Sequence, residues 1–432
     1  MNKIVTLIGM GLLALGLGAC GGATDGPGSA STAVTNDIVV WAWDPNFNIR
    51  ALEIAADAYA SLNPDSATHL IIEESAQDDI VQRLNIMLAS GITTDLPNIV
   101  LIEDYRAQGF LQAFPGSFYP LEPYFNPADF APFKNEVTSH NGVQYGIPFD
   151  SGVTGIYIRT DILAQAGYTV DDMMYIDWHE FIRIGHAVYE ATGTRLMTLD
   201  ISDLGQVRVM LQSVGSWYTL ADGFTPHLAD NPYLHMAFEL YRELQQSGLT
   251  IPITTWGEYV SNVNDGNVWS LMSAVWMTPS VMQAEDQYGL WAVVPTPSMP
   301  GVPQAVHASN WGGSSWYVLD IPGREVAAQF LADTFGSNAD FYQDILEAAG
   351  AMASFLPAQG GRAYQLEVGF FAGQQIFTDF SRWSAQVPQV NFGMHTYAIE
   401  DLLSVAMVDF VGGADLQTVL NTAQAQAESQ LN

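Results

Sequence analysis

From Asp37 onward the chain alternates short apolar runs with amphipathic stretches. Asp37-Ile38-Val39-Val40 reads as a strand. Ile49 to Ser61 then places Leu52, Ala55, Ala56 and Tyr59 on one helical face, and Asn63-Pro64 stops it. His69 to Glu73 reads as a second strand. Asp78 to Ser90 reads as a helix with Ile80, Leu84, Met87 and Leu88 on one stripe and Gly91 behind it. Pro97 leads into Asn98-Ile99-Val100-Leu101-Ile102, an unbroken apolar run that marks a buried parallel strand. Strand, helix, strand, helix, strand predicts a parallel sheet with right-handed crossovers.

Residues 110–135 are rich in Phe, Tyr and Pro and read as irregular. A strand then runs up to Pro148, passes the corner Asp150-Ser151-Gly152 and resumes over 154–161, which suits a crossover between two domains. In the second half, helical patterns cover Trp178 to Thr192, Leu204 to Ser213, Pro232 to Gln246, Arg324 to Phe335, Leu366 to Arg382 and Thr396 to Val411. Trp256 to Asp265 leads into the apolar run Val268 to Val275, and Tyr288 to Val294 reads as a strand.

Chemistry gathers where strands end. Trp41-Ala42-Trp43-Asp44-Pro45-Asn46-Phe47-Asn48 follows the first strand, and Glu103-Asp104-Tyr105 follows the third. In an open α/β sheet both lie on one rim, where ligands bind. An indole face packs on the C–H surface of a pyranose, and carboxylates or amides take pairs of hydroxyls. Trp43 alternates with Trp41, so Trp41 points to the opposite face and belongs to the core. A buried Trp pair beside an ordinary turn is the plain alternative. Asp44 is also placed to cap the following helix, and Asp104 to cap the segment after it.

Composition narrows the partners. The formal net charge is -33, from 46 acidic against 13 basic residues, and Lys3 and Lys134 are the only lysines. This excludes nucleic acid and anionic lipid as electrostatic partners, and it suits a saline habitat where salt screens self-repulsion. At the N-terminus, Met1-Asn2-Lys3 precedes an apolar segment, Ile4 to Leu17, too short for a membrane span. It ends in Leu17-Gly18-Ala19-Cys20, which resembles a bacterial lipobox. The resemblance implies a signal peptide over 1–20 and a lipid on Cys20, the only cysteine. Several acyl chains there would anchor the protein stably. Residues 21–36 are rich in Gly, Ser, Thr and Ala and read as a flexible tether.

Four blocks together resemble a known family. They are residues 39–48, Leu101-Ile102-Glu103-Asp104-Tyr105, residues 147–155 (Ile147-Pro148-Phe149-Asp150-Ser151-Gly152-Val153-Thr154-Gly155), and Trp311-Gly312-Gly313-Ser314-Ser315-Trp316. In this order they resemble the extracytoplasmic solute-binding proteins of carbohydrate ABC importers, most similar to the lactose- and oligosaccharide-binding branch. The resemblance covers the chain from residue 37. It implies an α/β, two-lobed periplasmic-binding-protein-like fold of type II, with a ligand cleft and three crossovers. Pro295-Thr296-Pro297 would be the second crossing and Met352 to Pro357 the third. The first lobe would comprise 37–147 and 298–352, the second 148–297 and 353–432.

The resemblance further implies a neutral mono- or oligosaccharide as ligand and the permease subunits of the importer as partners. It implies a monomer outside the cytoplasmic membrane, held by lipid alone, with no cofactor, no metal and no catalysis. Carried over by position, the first lobe would supply Trp43, Asp44, Asn46, Asn48, Glu103 and Asp104, and the crossing Asp150 and Ser151. The second lobe would supply Trp217, Trp256, Trp276 and Trp383. Trp311, with the backbone of Gly312 and Gly313, would come from near the hinge. Trp217, Trp276 and Trp311 border Gly or Pro turns, which favours the cleft over the core. Trp178, Trp269, Trp291 and Trp316 sit in apolar periodic runs and belong to the core. Two uses are open to Arg382: pairing with an acidic neighbour, or stacking on a sugar.

Other chemistries fail on spacing. Lys134 is followed by Asn135, so there is no P-loop. His179 and His186 lie about two helical turns apart, roughly 10 Å, too far to chelate one metal. Asn262 to Gly266 has Val263 at a ligand position of an EF-hand. Gly312-Gly313-Ser314-Ser315 lacks the second glycine of a nucleophile elbow. Two other readings use the same residues: a glycoside hydrolase drawing an acid and a nucleophile from Asp44, Glu103, Asp104 and Asp150, and a glycan-binding adhesin.

Overall fold

The computed structural model describes residues 37–66, 68–200 and 203–431. The signal segment, Cys20 and the tether lie outside the described residues. Two sheets organise the fold. The first runs in the order His69–Glu74, Asp37–Ala42, Ile99–Glu103, Ser314–Val318, Gly146–Pro148. Its first three strands are parallel, with Val40 opposite Ile72 and Ile99. Ser314–Val318 enters antiparallel, with Trp316 opposite both Leu101 and Ile147. The second sheet is antiparallel, with Thr154–Arg159 between Ser270–Ala274 and Trp291–Pro295. The architecture is the expected two-lobed α/β fold.

Alternation along the strands builds the core. Val40 and Ala42 enter one apolar cluster while Trp41 enters another, and Leu101 and Ile102 divide in the same way. Trp178, Trp269, Trp291 and Trp316 are fully buried, as expected. Trp41 is buried too, with the Arg83 guanidinium 3.8 Å above its ring.

Most helix limits agree with the pattern because sequence signals stop them. The helix Trp178–Thr192 begins where the Asp177 side chain accepts from the Glu180 N–H, and it ends at Gly193, whose φ is 74°. The irregular reading of 110–135 is corrected. Helices span Asp104–Ala113 and Pro132–Thr138, and two 3₁₀ turns lie between them. The helix expected over Leu366 to Arg382 is confined to Ile376–Ser384.

The connections between lobes are knitted together. Gly152 N–H donates to Asn310 Oδ1 at 3.0 Å, Trp311 N–H to the Gly152 carbonyl at 2.7 Å, and Ser151 N–H to the Met352 carbonyl at 2.8 Å. Residues 298–307, expected with the first lobe, hydrogen-bond instead to second-lobe segments. Ser298 bridges Asp177, and Val306 N–H donates to the Ser213 carbonyl. The chain therefore crosses at 309–313, not at 295–297. Residues 356–365, expected with the second lobe, lie on the first-lobe helix Ala339–Ala349, where Gln343 donates to the Ala358 carbonyl at 2.8 Å. The helix Thr396–Val411 packs against both lobes, on Asp104–Ala113 and on Pro232–Gln246. Among the described residues no helix is long and apolar enough to cross a membrane.

Candidate functional site

A cleft of about 740 Å³ opens beside the crossing segments, well within the range of small-molecule sites. Its first wall is the rim of the larger sheet. The strand Asp37–Ala42 ends and delivers Trp43, Asp44, Asn46, Phe47 and Asn48. The strand Ile99–Glu103 delivers Glu103. Asp44 has a φ of 60°, and its Oδ1 accepts from the Asn46 and Phe47 N–H groups. It thereby closes the turn ahead of the helix rather than capping the helix itself, whose N-cap is Phe47. Asn48 is 3% exposed, and its Oδ1 has no protein partner. A buried amide oxygen without a donor costs free energy until something supplies one.

Glu103 is held from behind. Tyr397 O–H reaches both carboxylate oxygens, at 2.8 and 2.7 Å, and Arg106 lies 3.5 Å away. Burial pushes the Glu103 carboxyl above its ordinary range, while the Tyr397 hydrogen bond and the Arg106 charge oppose that shift. Asp150 forms part of the floor. Its Oδ1 accepts from Ser314 N–H and Oγ–H, both at 2.7 Å. Burial raises its carboxyl as well, against the pull of Lys134.

The opposite wall carries Trp256, Trp276, Pro279, Ser280 and Gln283. Trp276 Nε1–H donates to the Trp311 carbonyl at 2.8 Å, which ties this indole to the crossing segment. Gly312 and Gly313 line the floor with φ of 72° and 88°. A Cβ on Gly313 would stand 3.0 Å from Asp104 Oδ2, so only glycine lets the main chain run there.

The structure gathers Trp43, Asp44, Asn46, Asn48, Glu103, Asp150, Trp256, Trp276, Gly312 and Gly313 on one cavity. Five expected residues are elsewhere. Asp104 is 1% exposed and is taken by Lys134 Nζ at 2.6 Å, with Ser315 Oγ at 3.1 Å. Burial lifts its carboxyl to about 6. Ser151 is buried within the crossing. Trp217 is buried against Tyr105 at 5.6 Å and Phe392 at 4.6 Å, and its Nε1–H donates to Thr396. Trp311 contributes its carbonyl, while its ring lies on Gly205. Trp383 is 1% exposed, edge-on to Phe380. Arg382 pairs with Asp379 at 2.6 Å, settling its two open uses.

Sequence reading missed Phe47, Gln77, Ser280, Gln283 and Ser314. Gln77 follows the second strand, so the strand-end rule that found Trp43 and Glu103 applied there too. Ser280 and Gln283 follow Trp276 by four and seven positions, one side of a helical stretch. Three carboxylates line the cleft and no Lys, Arg or His does, among the described residues. Flat apolar faces beside hydrogen-bond acceptors suit an uncharged ring carrying many hydroxyls.

Known proteins resemble this chain in sequence and in fold. Residues 55–361 match the profile of the family described as bacterial extracellular solute-binding protein. The chain is 38% identical to a lactose-binding protein of Rhizobium radiobacter over 403 residues, covering 93% of this chain and 94% of that one. Among solved structures it resembles the sugar-binding protein MalE from Xanthomonas citri, with a TM-score of 0.76 and 16% identity over 91% of this chain and 97% of that one. It also resembles the ABC transporter associated binding protein from B. animalis subsp. lactis in complex with beta-1,6-galactobiose. There the TM-score is 0.72 and the identity 20%, over 92% of this chain and 98% of that one. At these identities the structural likenesses speak for the fold.

Proposed function

The chain belongs to the bacterial extracellular solute-binding proteins, and on that premise we propose that it captures a short neutral saccharide between its lobes and delivers it to the permease of an ABC importer. In this reading a lipid on Cys20 holds it at the outer face of the membrane. One observation carries the ligand class: Trp43, Trp256 and Trp276 face the same cavity as Asp44, Glu103 and Asp150, and no cationic side chain lines it among the described residues. The likeness to a lactose-binding protein over nearly the whole chain supports a galactoside. Indoles desolvate the sugar ring, and the carboxylates and the Asn48 amide exchange water for sugar hydroxyls. An anionic sugar would bury its charge against three acids, at a cost the site does not offset.

Titration calorimetry against lactose and a panel of neutral oligosaccharides tests this. At least one should bind, and Trp276→Ala should weaken it by about 1–3 kcal/mol, the scale of one lost aromatic platform. Silence across the panel would overturn the reading. Release of monosaccharide during the incubation would replace it with the hydrolase.

A further inference from the structure

A buried arginine stands outside the cleft lining, one side chain removed from it. Arg208 lies on the second-lobe helix Gly205–Ser213, and its side chain is 4% exposed. Nη1 donates to Glu400 and Nη2 to Asp203, each at 2.6 Å. Glu400 is buried too and also accepts from Tyr218 O–H at 2.7 Å, whereas Asp203 reaches solvent. A buried ion pair stabilises a fold little more than apolar side chains of the same volume would. What this one touches therefore matters more than the pair itself.

The guanidinium lies 5.1 Å over the Tyr105 ring and 5.8 Å over the Tyr397 ring. Tyr105 belongs to the first-lobe helix Asp104–Ala113, and its O–H donates to the Asn310 carbonyl of the crossing segment at 3.0 Å. Tyr397 donates to both oxygens of Glu103 in the cleft. Tyr397 and Glu400 are three positions apart on the helix Thr396–Val411, so one helical face meets Arg208 twice. One permanent cation thus joins both lobes, the crossing segment and the C-terminal helix.

Two acids share that cation. Around Glu103 stand Tyr397, Arg106, Arg208 and Asp104, with Asp44 and Asp150 on the same cavity, and Arg106 is also drawn to Asp78 at 3.0 Å. Around Glu400 stand Arg208, Tyr218, Asp203 and Glu103. Arg208 favours the ionised form of each acid, while a charge on Glu103 opposes one on Glu400. The opposition is mutual, so the two titrate as a linked pair.

Resting on the capture reading above, in which ionised Glu103 accepts ligand hydroxyls, we infer that Arg208 is a positioning residue for capture. It braces Tyr397 against Glu103 and divides its charge between Glu103 and Glu400. A group that never touches the ligand then sets the pH range over which the ligand is held. The signs follow. Arg208→Gln removes a charge that favours ionised Glu103, so the Glu103 carboxyl rises. Glu400→Gln removes a negative charge that competes for Arg208, so the Glu103 carboxyl falls. Arg208→Lys keeps the charge and should stay near the wild type. A residue that merely held the fold together would not move Glu103 in opposite directions in two variants.

The test follows Glu103 with and without sugar. In the ligand-free protein its carboxyl carbon is titrated by 13C NMR, the signal being identified by its absence in Glu103→Gln. In parallel, calorimetry from pH 8 down to pH 5 measures affinity for lactose and the neutral oligosaccharide panel. Relative to the wild type, the Glu103 midpoint and the onset of affinity loss should move up in Arg208→Gln and down in Glu400→Gln. Each should move by about half a pH unit or more, about a threefold change in affinity on the falling limb. If Arg208→Gln does not fold, the isosteric Glu400→Gln decides alone. An unmoved midpoint in Glu400→Gln, or shifts of the same sign in both variants, would overturn the inference and leave capture standing. If the wild type binds no saccharide, the capture reading falls. Opposite NMR shifts would then still uphold Arg208 as the residue that positions Glu103.

Discussion

Glu103 faces the cleft, yet it is governed from the far end of the chain. Tyr397 lies on the helix Thr396–Val411 and donates to both of its carboxylate oxygens, and the Arg106 guanidinium stacks 4.3 Å above the Tyr397 ring. Arg208 adds positive charge, Asp104 adds negative charge, and burial raises the carboxyl overall. Glu103 accepts sugar hydroxyls when ionised, so affinity should fall on acidification as it takes up a proton. Tyr397→Phe removes a group that favours the ionised form, so the folded carboxyl rises further. The expected result is that the loss of sugar affinity sets in at a higher pH in the variant, measured by calorimetry from pH 8 down to pH 5. A profile that does not move would separate Tyr397 from the site. Nothing near Glu103 in sequence announces Tyr397, because the contact is made only when a C-terminal helix packs on the first lobe.

At the scale of the elements, a buried polar network ties the helices Asp104–Ala113 and Pro132–Thr138 to the crossing segments. Lys134 Nζ donates to Asp104 at 2.6 Å and to the Ser314 carbonyl at 2.9 Å, and Ser314 in turn donates twice to Asp150. Lys134 and Asp104 are essentially without solvent exposure. Lys134→Met would leave Asp104 buried without its cation. The expected cost is about 3–5 kcal/mol, read by chemical unfolding, and adding Asp104→Leu should recover most of it. If the double variant is as unstable as the single, the pair acts through something other than charge. The same network explains why Asp104 reads as a site residue and is not one. Its place at a strand end is that of a ligand group, but the first helical turn directs its side chain toward Lys134, thirty positions onward. Aromatic-rich 110–135 hides two helices for a related reason: Phe and Tyr there are spaced by the needs of packing between elements, not by one clean face. The helices Ala339–Ala349 and Leu416–Gln430 carry no assignment from the pattern, although Asn338 and Asp415 side chains cap their first turns in the expected way.

At the scale of the whole molecule, charge dominates. Acids outnumber bases 46 to 13, so at neutral pH the surface repels itself, and salt should relieve it. Two buried acids add a pH term with a definite sign. Burial raises Asp104 from 3.8 to about 6, and Glu400 from 4.5 to about 7 although Arg208 opposes the shift. Each holds its proton more tightly in the fold than in the unfolded chain. The stability this gives is complete below about pH 4 and is lost as pH rises through 6 to 7. The melting temperature should therefore be higher at pH 5 than at pH 8 and should rise with NaCl at pH 8. Part of the pH difference should persist in 1 M salt, because buried groups are poorly screened. A melting temperature indifferent to both salt and pH would contradict this account.

The sequence by itself determined the three parallel strands that open the first lobe and the two helices between them, the core tryptophans and the rim that carries Trp43, Asp44 and Glu103. Those follow from local periodicity and from the rule that parallel strands expose their C-terminal ends together. Only the tertiary structure decided which aromatics reach the cleft. Trp217 and Trp276 both border Gly or Pro turns, yet Trp276 alone finds the carbonyl of a crossing segment and an open face, while the Trp217 ring is sealed by Tyr105 and Phe392 from distant segments. Whether an indole is core or platform depends on what packs over it, and the atoms that do so are remote in the chain.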